Sequence, residues 1–189
     1  MTQNKSEKDE LIIRGIINLF QKGAKEEALI ESERLIEKGC KFPFLFNLNG
    51  IINIELNNWD RAKISLNKAI NLDQKYVEAY SNLGIVYNNL GDSKKAIEYF
   101  SLSIELKKNY SNGYNNLGSV YDDLGKYEEA IKNYSKALEF NPKHIEAQTN
   151  LINILNYYHP NNKNLNPIIV ANNNLKKINK DFSFTESIN

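Results

Sequence analysis

A chain of 189 residues, 41 % of them hydrophobic, holds enough apolar side chains for a continuous core in one domain or an elongated array. Its 24 Lys and Arg nearly balance 23 Asp and Glu, so no basic field exists to collect nucleic acid or anionic lipid by counterion release. The single cysteine, Cys40, forms no intramolecular disulfide, and neither a signal peptide nor an apolar run of roughly 18 residues is present; the expectation is a soluble, cytoplasmic protein with no nucleic-acid or membrane partner.

Residues 1–8 are polar and read as a disordered start. From Glu10 to Lys22 the apolar set Leu11, Ile12, Ile16, Leu19 and Phe20 recurs at helical spacing, and Gly23 stops the helix. A second amphipathic stretch, Ala24 to Lys38, turns Ala28, Leu29, Leu35 and Ile36 inward before Gly39 ends it. Pro43 opens a third helix, where its missing N–H costs nothing, and this helix runs to about Asn57. A fourth follows from Asp60, read as its N-cap, to Leu72. Trp59, in the turn between them, is expected to hold the two helices together rather than to meet a ligand, because large aromatics chiefly serve burial. Further pairs are expected at 76–90 with 93–106 and at 110–124 with 127–140; Gly91 and Gly125 end the first helix of each pair, and Asp92 is a candidate cap. A helix over His144 to Tyr158 carries Leu151, Ile152 and Leu155 in phase. The remainder, 159–189, reads as an Asn-rich loop, a short helix opened by Asn166 and Pro167 and running to about Ile178, and a patternless tail.

These elements repeat with a period of 34: Gly50, Gly84 and Gly118; Ala62, Ala96 and Ala130; Ala69, Ser103 and Ala137; Phe46, Tyr80 and Tyr114; Leu66, Phe100 and Tyr134. Leu83 with Leu117 and Tyr87 with Tyr121 extend the columns over two repeats. A glycine inside a helix costs about 1 kcal/mol relative to alanine. Its recurrence at one phase therefore means that no side chain fits there, and Ala62, Ala96 and Ala130 are expected to face it across a close helix pair.

Tyr114, Leu117, Gly118, Tyr121, Ala130, Tyr134 and Pro142 carry the tetratricopeptide pattern, and the chain resembles the tetratricopeptide repeat (TPR) family. The pattern is fullest in 77–110 and 111–144, good in 43–76 and degenerate in 9–42, where Ile16 stands in the place of the glycine. The resemblance implies an all-α, right-handed superhelix of stacked antiparallel helix pairs, a TPR solenoid, with capping helices at the C-terminal side that begin with 145–158.

No phosphate-cradling loop, zinc spacing or nucleophile elbow is present. His144, Ile145 and Glu146 spell the start of an iron facial triad, but they stand at a helix start and the other histidine, His159, is on an irregular turn. No enzyme, cofactor or metal is expected. The resemblance instead puts function on a concave groove lined by the first helix of each pair. There Asn82, Asn116 and Asn150 recur at intervals of 34, with Leu48 interrupting the column in the preceding repeat, and resemble the asparagine ladder in the TPR superhelix of O-linked GlcNAc transferase. A carboxamide offers donor and acceptor alike, so stacked asparagines suit the main chain of an extended peptide. Flanking groove positions are Asn47, Ser81, Asn115, Asn88, Asn89, Asp122 and Asp123, with Ile51, Ile85 and Ser119.

This lining is neutral to acidic, and 76–90 and 110–124 hold no Lys or Arg; a clamp for a terminal carboxylate is excluded, and a neutral or basic segment is the expected partner. Asparagine is abundant in loops as well, so compositional bias competes with the ladder. The sequence thus points to a noncatalytic protein–protein interaction scaffold. Two alternatives stand beside it: the N-terminal targeting region of a longer transferase or oxygenase, and a module that self-associates through its terminal repeats.

Overall fold

The computed structural model describes residues 2–157, and every regular element among them is an α-helix. In chain order these are α1 (Thr2–Gln21), α2 (Lys25–Glu37), α3 (Pro43–Glu55), α4 (Trp59–Leu72), α5 (Val77–Asn89), α6 (Ser93–Leu106), α7 (Ser111–Asp123), α8 (Tyr127–Phe140) and α9 (Ile145–Tyr157). The chain divides into two compact units, Met1–Tyr99 and Phe100–Asn189. The last helix expected from sequence, 167–178, lies with the rest of the tail outside the described residues.

Eight helices fall within a few residues of their expected bounds, and α1 departs from them by starting at Thr2. No glycine or proline precedes Leu11, so nothing in the polar start breaks a helix once the apolar face of α1 is docked; the expected disordered segment 1–8 is helical from Thr2. The turns between paired helices repeat one motif. Gly23, Asn57, Gly91 and Gly125 take φ of 83°, 58°, 77° and 70°, the left-handed conformation that closes a helix. In each turn the next N–H reaches back to the carbonyl five residues before it: Ala24 to Leu19 at 3.0 Å, Asn58 to Asn53 at 2.8 Å, Asp92 to Tyr87 at 2.9 Å and Lys126 to Tyr121 at 2.8 Å.

The caps correct one expectation and support another. Asp60 does not cap α4: that helix starts at Trp59, after Asn58, whose side chain makes no cap bond. Because Asn57 already turns the chain, Asp60 falls inside the first turn, where its carboxylate complements the helix dipole and meets Lys63 Nζ at 2.8 Å. Asp92 does cap α6, accepting the Lys95 N–H at 3.1 Å.

In the first unit α1 packs on α2, α2 on α3, α3 on α4 and α4 on α5, while α3 also touches α1 and α5. Ile13, Ile16, Leu35, Leu45 and Ile52 form one cluster, and Phe46, Ala62, Leu66, Ala79 and Leu83 another, with Trp59 packed against the second. In the second unit α7 packs on α8, α8 on α9 and α7 on α9, around Ile131, Tyr134, Leu138 and Leu151.

The glycine column acts as a packing device, but its partner differs from the alanines expected. A Cβ at Gly50 would lie 2.7 Å from Leu66 Cγ and Cδ2, and one at Gly118 would lie 2.7 Å from Tyr134 Cδ1 and Cε1. Leu66 and Tyr134, from the second helix of their pairs, therefore enter the space that Gly50 and Gly118 leave. Ala62 and Ala130 are fully buried in these pairs without being the atoms that exclude the side chain.

Candidate functional site

On α3, Asn47 is buried, and it accepts a hydrogen bond from Asn82 Nδ2 of α5 at 2.9 Å. Tyr76, the residue that begins the turn into α5, is a second hydrogen-bond partner of the Asn47 side chain, and burial pushes its phenol up to about 12. The second unit repeats the amide pair 68 residues later: Asn150 Nδ2 of α9 donates to Asn115 Oδ1 of α7 at 3.3 Å. Each pair links the first helix of one repeat to the first helix of the next.

This geometry separates two columns that the sequence placed together on the groove surface. Asn47, Ser81 and Asn115 are 4 %, 3 % and 5 % exposed, and Asn47 and Asn115 serve as acceptors toward the neighbouring helix. Asn82, Asn116 and Asn150 are half-buried. Asn82 and Asn150 each commit one N–H to the pair, and a carboxamide so held retains a second N–H and a carbonyl oxygen for a passing main chain.

Asn88 is half-buried and Asn89 exposed, and Asn89 turns its amide back onto the Ile85 carbonyl of its own helix at 2.9 Å. On α7, Asp122 is half-buried and Asp123 exposed. Burial, and then the charge of Asp123, raise the Asp122 carboxyl, while a hydrogen bond with Tyr134 acts in the other direction. Tyr134, whose ring crosses Gly118, is itself raised by burial and shares hydrogen bonds with Ser119 and Asp122. The glycine contact and the acidic edge of α7 are thereby one assembly.

His144 is a helix-start residue. Its Nδ1 accepts the Ala147 N–H at 3.4 Å, and the ring is 8 % exposed. Among the described residues no group of three or more His, Cys, Asp and Glu is placed to hold a metal ion, and His159 lies outside them.

The sequence reading missed a buried polar cluster on the opposite side of α3. Asn49 Nδ2 donates to Ser32 Oγ at 2.8 Å, Ser65 Oγ donates to Asn49 Oδ1 at 2.6 Å, and Asn53 Nδ2 donates to Asn49 Oδ1 at 3.0 Å and to the Asn49 carbonyl at 2.9 Å. The signal lay in departures from the repeat: Asn49 falls in the column of Leu83 and Leu117, and Asn53 in that of Tyr87 and Tyr121. The cluster lines a cleft of about 950 Å³ between α2 and α4, with buried Cys40 on its wall.

Residues 77–110 and 111–144 match the family profile described as tetratricopeptide repeat, and 52–91 match that described as TPR repeat. No curated protein matches the sequence. Among solved structures, the chain is similar to MamA at 23 % identity and a TM-score of 0.67, covering 88 % of this chain and 95 % of that one. It is similar to YrrB, described as a TPR protein with an unusual peptide-binding site, at 21 % identity and a TM-score of 0.61, covering 86 % and 84 %. It is also similar to the first TPR of Spaghetti (RPAP3), solved with the HSP90 peptide SRMEEVD, at 24 % identity and a TM-score of 0.56, covering 61 % and 91 %. These likenesses concern the fold. Together with the profile matches, the 34-residue columns, the left-handed turns and the Gly50 and Gly118 contacts, they establish that the chain belongs to the tetratricopeptide repeat family.

Proposed function

We propose that this protein is a noncatalytic interaction scaffold that binds an extended polypeptide segment along the first helices of its repeats, through Asn82, Asn116 and Asn150. The observation that carries the reading is the recurrence of one amide pair, Asn82 with Asn47 and Asn150 with Asn115. A side-chain amide fixed by a buried partner loses little further entropy when it meets a ligand, and preorganisation of this kind favours binding. The known peptide complex of the Spaghetti repeat supports the general role. The chemistry of the face narrows it: α5 (VEAYSNLGIVYNN) and α7 (SNGYNNLGSVYDD) contain no Lys or Arg, and Asp122 and Asp123 add negative charge, so a neutral or basic segment fits and a carboxylate-terminated acidic one does not.

A library of random displayed 12-residue peptides, panned against the wild type, tests this directly. Enriched peptides should be neutral to basic, and each should bind the Asn82→Ala and Asn150→Ala variants about 5-fold to 150-fold more weakly, the loss expected when one buried hydrogen-bond partner is left unsatisfied. SRMEEVD should not compete. Enrichment of acidic peptides that bind both variants at wild-type affinity would overturn the proposal.

A further inference from the structure

The cleft beside α3 is where two aromatic rings sit one repeat later. Asn53 and Ser65 occupy the positions that, 34 residues on, are Tyr87 and Tyr99, and those two rings stack with centroids 5.2 Å apart and planes within 5°. The same helix geometry thus encloses a stacked pair of phenols in one repeat and two short polar side chains in the other. The missing volume is open: α2 and α4 meet through side chains such as Glu33 and Arg61, and a cleft of about 950 Å³ runs between them, a size in the range of ligand pockets. Ile36, Phe46 and Ile64 supply apolar wall.

The floor is polar and incompletely satisfied. Asn53 is 1 % exposed, both of its bonds to Asn49 are made through Nδ2, and its Oδ1 is buried with no partner. A buried acceptor in that condition calls for a donor. At its edge Arg61 and Glu33 pair at 3.5 Å, and Glu37, Lys41 and Lys68 also line the cleft, so groups of both signs border it.

We propose that this cleft is a second binding site, which takes a tyrosine side chain presented by a partner polypeptide: the ring fills the place that Tyr87 and Tyr99 fill in the next repeat, and its hydroxyl donates to Asn53 Oδ1, which has no exposed surface in the unliganded fold and is reached when the Asn53 amide turns toward the cleft. The site involves α2, α3 and α4 and none of Asn82, Asn116 or Asn150, so it stands or falls apart from the reading above.

Titration of the full chain, followed by NMR of the Asn49 and Asn53 side-chain amides, provides the test. The probes are p-cresol, toluene and the peptide acetyl-Gly-Gly-Tyr-Gly-Gly-amide. Saturable shifts with p-cresol are expected at a Kd on the order of 1 mM, from eight heavy atoms at ordinary ligand efficiency. The peptide should move the same signals at least as strongly, and toluene should bind about fivefold to tenfold more weakly for want of the donor.

Asn53→Leu keeps the size and removes the acceptor; followed through Asn49, it should bring p-cresol down to the level of toluene. Asn53→Tyr should fill the cleft and abolish both. The fold of each variant is checked by its thermal transition. No saturable shift with p-cresol, toluene binding equal to p-cresol, or p-cresol selectivity surviving Asn53→Leu each overturns the site. Shifts with p-cresol but none with the peptide overturn the polypeptide as its source in favour of a free phenol.

Discussion

The substitution Gly118→Ala sets two effects of known size against each other. In a helix interior alanine is favoured over glycine by about 1 kcal/mol, so on propensity alone the variant gains. The new methyl, however, would lie 2.7 Å from Tyr134 Cδ1 and Cε1, well inside van der Waals contact. Tyr134 is 1 % exposed, so the ring is enclosed by its neighbours and cannot swing clear without displacing them. Overpacking of this kind costs about 1–3 kcal/mol. The expected sum is a net loss of about 0–2 kcal/mol. Gly15→Ala is the internal control: it is also a helical glycine, but a Cβ there meets nothing within 4 Å, so it should gain about 0.5–1 kcal/mol. Urea titration followed by circular dichroism at 222 nm compares the two with the wild type, and the difference between them isolates the steric cost. If Gly118→Ala proves as stabilising as Gly15→Ala, the seam is looser than the contact implies and the packing argument for the whole glycine column fails.

Asn57 occupies at φ 58° the turn position held elsewhere by Gly23, Gly91 and Gly125, so Asn57→Gly should raise stability by about 0.5 kcal/mol; a lower urea midpoint would contradict this. Tyr76 carries a folded-state phenol raised from 10.0 to about 12 by burial. Its contribution is therefore complete below pH 10 and lost as the pH rises toward 12, by about 1 kcal/mol after allowance for its half-exposure. Tyr76→Phe should flatten the stability profile in that window, and an unchanged alkaline slope would show that the phenol is not responsible. Asn82→Ala leaves Asn47 Oδ1 without its Asn82 partner and should cost about 1–3 kcal/mol, whereas Asn89→Ala, which removes only a bond to its own helix, should fall within about 0.5 kcal/mol of wild type; equal losses in a thermal melt would remove the distinction between the two.

The fold was legible because it is written redundantly. Each helix is specified by its own periodicity and again by its copy 34 residues away, and the glycine, alanine and aromatic columns agree on the phase. What stayed hidden was whatever depends on which atoms meet. Sequence marked Gly50 and Gly118 as places where no side chain fits, but not that Leu66 and Tyr134 fill the gap, because the period fixes phase along a helix and not the partner across the seam. It put Asn47 and Asn82 on one surface, although they are adjacent in sequence only through a repeat; burial of Asn47 follows from the approach of α5, a tertiary fact. The cluster around Asn49 and Asn53 was legible only as an absence, two polar residues in columns that elsewhere hold Leu83, Leu117, Tyr87 and Tyr121, and its meaning required the cleft.

The abundance of asparagine poses a problem that the structure resolves by energetics. A compositional drift toward one residue type is tolerated where the cost is small, on helix surfaces. There the amides behave alike: Asn67, Asn89 and Asn133 each donate to the carbonyl four residues back in their own helix, at 2.8, 2.9 and 2.8 Å, and add nothing between elements. Buried asparagines face a different balance, since each unpaired amide group left inside costs about 1–3 kcal/mol, a sizeable part of the 5–15 kcal/mol that holds a typical domain together. Drift does not place a donor opposite an acceptor. Yet Asn82 meets Asn47 and Asn150 meets Asn115 at the same offset in separate units, and Asn49 joins Ser32, Ser65 and Asn53 in one network. Pairing between helices, not frequency, therefore distinguishes the asparagines that carry structure. Within that set, Asn53 stands apart: both of its hydrogen bonds go to Asn49 and its buried carbonyl oxygen has no partner, which makes it the asparagine whose presence the folded chain alone does not explain.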